Sequence, residues 1–143
     1  MTTPLSWQHY ALLSALAAGA TAVLAKLGVE GLPSNLATAL RTAVVLVFAW
    51  AIVLARGEHH VMATISRRSW LFLVLSGCAT GLSWLAYFRA LQLGSASRVA
   101  PIDKLSLAFT LALAVLFLGE PLSWRLVIGV LLMIAGALLT LGA

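Results

Sequence analysis

Polar residues interrupt this chain at only a few places. Between them lie five apolar runs, at about 7–26, 36–55, 70–91, 98–118 and 124–142. Each is near the roughly 20 residues that cross a bilayer core as a helix. The runs are continuous rather than alternating, so they do not read as strands. Backbone groups in lipid must also pair within their own segment, which leaves helices. The pattern predicts an all-α integral membrane protein with five transmembrane helices in a single domain over 1–143.

The run boundaries carry physical markers. Ser6-Trp7, Ser69-Trp70 and Ser123-Trp124 repeat one dipeptide at the starts of runs one, three and five. Serine offers a capping oxygen to unpaired helix amides, and tryptophan favours the headgroup level. Alternating spans put all three starts on one face, with Trp50 near it, so four of the five tryptophans form one belt. Run two follows the turn Gly31-Leu32-Pro33-Ser34-Asn35, which reads as a turn and then a cap. Gly119-Glu120-Pro121 makes a tight turn before run five. Gly129 and Gly136 share a face there and suit close helix packing, within the fold or between chains.

Composition agrees with a membrane solvent. The chain is 62% hydrophobic and 9% charged, where a soluble domain carries roughly a quarter charged residues. The net charge of +5 comes from residues spread over loops and helix ends, which is no footprint for nucleic acid. Met1 to Trp7 holds no Lys or Arg, so the first run reads as a retained helix rather than a signal peptide. Cys78 is the sole cysteine and reads as a small packing residue. His59 and His60 lie in the 56–69 loop without a third ligand, so a solvated loop is expected rather than a metal site.

The informative residues are the charges within the apolar runs. Arg41 lies about 9 Å into run two at 1.5 Å per residue. Asp103 and Lys104 reach similar depth if Ser97 caps run four and Pro101 kinks it. Ionisable groups at such depth usually face a partner or a water-filled cavity. Ser106 and Thr110 follow Asp103 at helical spacing and extend a polar stripe. Trp84 departs from the belt and lies inside the bilayer, with Tyr87 one turn on. The functional reading has Arg41, Trp84, Tyr87, Asp103, Lys104 and Ser106 line a polar path for substrate or coupling ion. The bland readings are a structural Arg41–Asp103 salt bridge, a packed Trp84–Tyr87 pair, an Asp103 that favours a helix N-terminal dipole, a surface Lys26–Glu30 pair and an Arg89 that snorkels to headgroups.

Ala90-Leu91-Gln92-Leu93-Gly94, Ser97-Arg98-Val99-Ala100-Pro101-Ile102-Asp103-Lys104-Leu105-Ser106, Phe117-Leu118-Gly119-Glu120 and the Gly129–Gly136 stretch together resemble the EamA domain of the drug/metabolite transporter superfamily. Ala25-Lys26-Leu27-Gly28 and Asn35-Leu36-Ala37-Thr38-Ala39-Leu40-Arg41-Thr42 also resemble its single-domain, five-helix prokaryotic branch. Most relatives carry two such domains with inverted topology. The resemblance implies that this chain is half of a ten-helix inverted-repeat assembly. Helices one to four would line the cavity.

The expected function is secondary transport of a small hydrophilic metabolite, amino-acid-like or an organic anion, in a prokaryotic inner membrane. No nucleotide motif is present, so an ion or solute gradient would drive it, and no cofactor is expected. The alternative is proton-coupled export of cationic drugs or metabolites, for which Asp103 is the one acid within a span. A non-transport accessory subunit would need no polar stripe, and no catalytic constellation points to an enzyme. The expected partners are the lipid bilayer, the solute and a second copy of the chain. An antiparallel copy is permitted because basic residues divide about four to three between the faces, which is a weak orientation signal.

Overall fold

The computed structural model describes residues 6–142. The expectations that fall on Met1–Leu5 and Ala143 lie outside them. Six α-helices follow one another, α1 (Trp7–Val29), α2 (Ser34–Ala55), α3 (Arg67–Leu93), α4 (Ala96–Asp103), α5 (Ser106–Leu113) and α6 (Trp124–Leu139). Short 3-10 segments cover Glu58–Thr64 and Thr140–Gly142, and a π turn covers Ala114–Leu118. Four stretches are long and apolar enough to cross a membrane, α1, α2, α3 and the composite Ala96–Leu118. The last apolar helix, α6, is shorter. At most 17% of any of these spans is buried within the chain, so lipid or other chains must cover the rest.

Two compact units divide the chain. The first, Ala25–Leu93, holds the end of α1 with α2 and α3. Here α2 and α3 run antiparallel, in a register that brings Leu32 to Gln92 and Arg41 to Trp84. Buried Ala25, Val29, Ala37, Phe88 and Leu91 form its core, with polar Ser34 and Thr38 among them. This core gathers where α1 ends, α2 begins and α3 ends. Thr38 and Thr42 return their hydroxyls to carbonyls one turn back, Ser34 O at 2.9 Å and Thr38 O at 2.8 Å. That satisfies them inside an apolar span. Gly31, at φ 73°, turns the chain from α1 to α2 through a conformation that side chains resist.

The second unit joins residues up to Leu24 with those from Gly94 onward. Here the run expected at 98–118 is not one continuous helix. Pro101 lacks an N–H, and the backbone after it tightens into 3-10 bonds: Lys104 N–H to Pro101 O and Leu105 N–H to Ile102 O, both at 3.0 Å. Leu107 and Ala108 donate three residues back in the same way, and α5 resumes the α pitch. Residues three apart eclipse in a 3-10 turn, so Asp103 and Ser106 stand closer to one line than α spacing alone would set them. Gly119, at φ 67°, closes the π turn before the link to α6.

Several helix starts differ from the sequence expectation. The α3 cap is Ser66, not Ser69: Ser66 Oγ accepts from Ser69 N–H at 3.0 Å. The α4 cap position is Ser95 rather than Ser97 and makes no side-chain cap bond. Ser34 and Asn35 do not precede α2 but form its first turn, with Pro33 at the cap position. Ser123 does cap α6, accepting from Leu126 N–H at 3.2 Å. Within the stretch 56–69, Glu58–Thr64 is a 3-10 helix and α3 already begins at Arg67, and Arg56 and Glu58 pair at 2.8 Å. Cys78 is exposed rather than packed. Nothing lies within 4 Å of a side-chain carbon built at Gly129 or Gly136, so their face is not used for packing within the chain.

Candidate functional site

Arg41 stands seven residues into α2, about 10 Å from its start. Its guanidinium carbon lies 4.1 Å from the Trp84 ring centre and 5.7 Å from that of Phe88. Trp84 and Phe88 are one turn apart on α3 and form a two-ring floor under the cation. A guanidinium over an indole gains from the ring's negative face, on the order of 0.5 to 2 kcal/mol as water is removed. Arg41 makes no hydrogen bond or ion pair among the described residues. Its N–H donors are therefore unspent, in a span where unmet donors are costly. Tyr87, half-buried beside Trp84, has an interaction of its own.

Two further bonds fix this end of the unit. Lys26 Nζ donates to Leu91 O at 2.7 Å. The surface pairing with Glu30 gives way to this tie because the last carbonyls of α3 lack helix partners. Arg89 donates from Nη1 to Gln92 Oε1 at 2.6 Å, and Gln92 Nε2 donates to Leu32 O at 2.8 Å. Arg89 is thus tied to its own helix end rather than extended freely to headgroups.

In the other unit, Lys104 Nζ lies 3.3 Å from Asp103 Oδ2. The ion pair of Asp103 is therefore with its sequence neighbour, at the point where α4 breaks. Ser106 opens α5 just beyond and is exposed. Sequence reasoning named Arg41, Trp84, Tyr87, Asp103, Lys104 and Ser106. The structure brings Arg41 onto Trp84, and separately brings Asp103 onto Lys104. It adds Phe88, whose spacing of four from Trp84 was a usable signal, and Gln92, whose role depends on the tertiary fold. The His59 and His60 rings lie with centres 3.8 Å apart, tilted at 41° to each other. No group of three metal-ligating side chains occurs among the described residues.

Apolar spans carrying an unpaired cation on an aromatic floor fit a membrane protein that handles polar solutes. The model of the EamA-like transporter family matches residues 5–142. The chain belongs to the EamA-like transporter family. A Sinorhizobium protein named "Uncharacterized transporter in cobO 3'region" is 55% identical over 134 residues, which cover 94% of this chain and 95% of that protein. No solved structure matches. Family and relative make this a multi-pass membrane transporter, and they point to transport rather than catalysis.

Proposed function

We propose that this EamA-family chain is a secondary transporter of a small hydrophilic metabolite bearing a carboxylate or similar anionic group, in a prokaryotic inner membrane. The observation that carries this reading is Arg41, a permanently charged fork with unspent donors, laid over Trp84 inside a span. A carboxylate can take two of those donors at once, and the indole can receive the apolar part of the solute. Asp103 and Lys104 hold each other's charge at rest and form the coupling pair, with Tyr87 and Ser106 on the polar path. Five spans, counting α6, make one half of the carrier. A second copy, inserted in the opposite orientation, completes the inverted pair and supplies the second gate.

Proton-coupled export of cations is the second reading, favoured by Asp103 as an acid within a span. Its cargo would have to displace Lys104. The two readings part in solute counterflow with the purified chain in vesicles, against zwitterionic amino acids, organic acids and organic cations. Exchange of carboxylate-bearing solutes that Arg41→Ala abolishes is expected. Exchange confined to cations, insensitive to Arg41→Ala, supports the second reading. No exchange of any class contradicts both.

A further inference from the structure

A bilayer gives an apolar helix little reason to face one way, since lipid tails are as apolar as its own leucines. On α3, Leu82 is 71% exposed and Leu85 39%, so burial alone does not set its rotation. The contact with Arg41 nevertheless needs one rotation, with Trp84 and Phe88 both turned toward α2. A turn of one residue, about 100°, would carry the indole out of the roughly 6 Å reach of a cation–π contact.

Two side-chain bonds tie the end of α3 to its neighbours. Lys26 Nζ, from the last turn of α1, donates to Leu91 O at 2.7 Å. Leu91 lies in the last turn of α3, so its carbonyl lacks the amide that a longer helix would supply. The ammonium also meets the negative pole of that helix. Gln92 Nε2 donates to Leu32 O, in the turn between α1 and α2, at 2.8 Å. Around these bonds Ala25, Val29, Phe88 and Leu91 are buried, Leu91 completely. Leu91, Phe88 and Trp84 are spaced by three and four residues and so share one face of α3. Leu91 stands about 10 Å along the helix from Trp84. A bond that holds Leu91 in place therefore holds the direction of Trp84. All of these residues lie in the unit Ala25–Leu93.

We propose that Lys26 is a positioning residue for the solute site, with Gln92 in a lesser share. Lys26 grips the last turn of α3 from α1 and sets the rotation that keeps Trp84 and Phe88 beneath Arg41. It acts through Leu91 O, not on the solute. The consequence for transport rests on the reading of Arg41 and Trp84 as the solute site; the consequence for the position of Trp84 does not.

The test uses the full chain in vesicles, with Trp7, Trp50, Trp70 and Trp124 changed to Phe so that Trp84 alone emits. One arm records emission without solute, and the other measures counterflow of alanine and of succinate. Lys26→Met keeps the length of the side chain and removes its donors. It should displace the solute-free emission in the direction that Arg41→Ala does. It should also raise KM about tenfold while the maximal rate stays within about twofold. Lys26→Arg keeps a donor and should retain most of the wild-type emission and KM. Emission that Lys26→Met leaves unmoved would overturn the proposal. With that emission, a raised KM would make Lys26 a contact of the solute, and a lowered maximal rate at constant KM would make it merely structural. A Lys26→Arg variant as impaired as Lys26→Met would overturn it as well. If neither solute exchanges, the transport reading fails for them, and the emission arm still decides the position of Trp84. If Lys26→Met does not reach the membrane, Gln92→Met decides in its place: a smaller displacement in the same direction supports the proposal, and none overturns it.

Discussion

At the scale of single residues, Arg41 decides the reading. Sequence alone placed Arg41 and Trp84 in the membrane, because a charge and a belt residue were each out of pattern. It did not join them, since their contact depends on the α2–α3 register. It also left Lys26 with Glu30, where helix spacing favours a pair. The structure turns Lys26 to Leu91 O, and an orphan carbonyl on another helix is invisible to a single-helix rule. Arg41→Lys should keep the protein in the membrane but lower transport at least about tenfold, because an ammonium neither stacks on the indole nor grips a carboxylate with two donors. Uptake equal to that of the wild type would show that only charge matters there. Asp103→Asn and Lys104→Ala should each impair transport with normal membrane levels. If the Asp103–Lys104 pair is only structural, replacing both with apolar residues of similar volume would preserve transport.

At the scale of elements, the apolar runs were legible because each is long and nearly uncharged. Their ends were less so. The sequence pattern points to Ser69 and Ser97 as caps, and the structure puts Ser66 and Ser95 at those positions, one turn or less upstream. At α3 the choice falls on Ser66, whose oxygen reaches the Ser69 amide, whereas Ser95 takes the α4 cap position without such a bond. Ser66→Ala should therefore cost about 1 kcal/mol of stability, read by thermal or detergent unfolding. Ser69→Ala should cost less, since the Ser69 amide still reaches Ser66 Oγ. Equal losses would contradict the assigned cap. Pro101 was visible as a kink, but the 3-10 turn through Lys104 and Leu105 was not, because its carbonyl partners are chosen by the whole run. Pro101→Ala restores an N–H to the ladder. It should leave stability equal or higher and reduce transport if the break sets the Asp103–Ser106 line. Unchanged transport would make the break a passive consequence of proline.

At the scale of the whole molecule, exposure is the dominant fact. Leu71, Phe72, Leu73, Val74 and Leu75 are each more than half exposed, on every face of α3. Gly129 and Gly136 likewise have nothing against them. A membrane is what such surfaces require, and one sequence with near-balanced flanking charge writes neither its orientation in the bilayer nor whether a second copy joins it. Single cysteines placed in the Glu58–Thr64 segment, in a Cys78→Ser background, should label partly from each side of intact cells if the pair is antiparallel. Labelling from one side alone would exclude that arrangement. The most direct test of the account concerns Arg41 on Trp84. A variant with Trp7, Trp50, Trp70 and Trp124 changed to Phe reports from Trp84 alone. Titrating it with a solute that exchanges in counterflow should give a saturable change in its emission, at the concentration that half-saturates exchange, and Arg41→Ala should abolish that change. Emission indifferent to a transported solute would contradict the placement of the solute site.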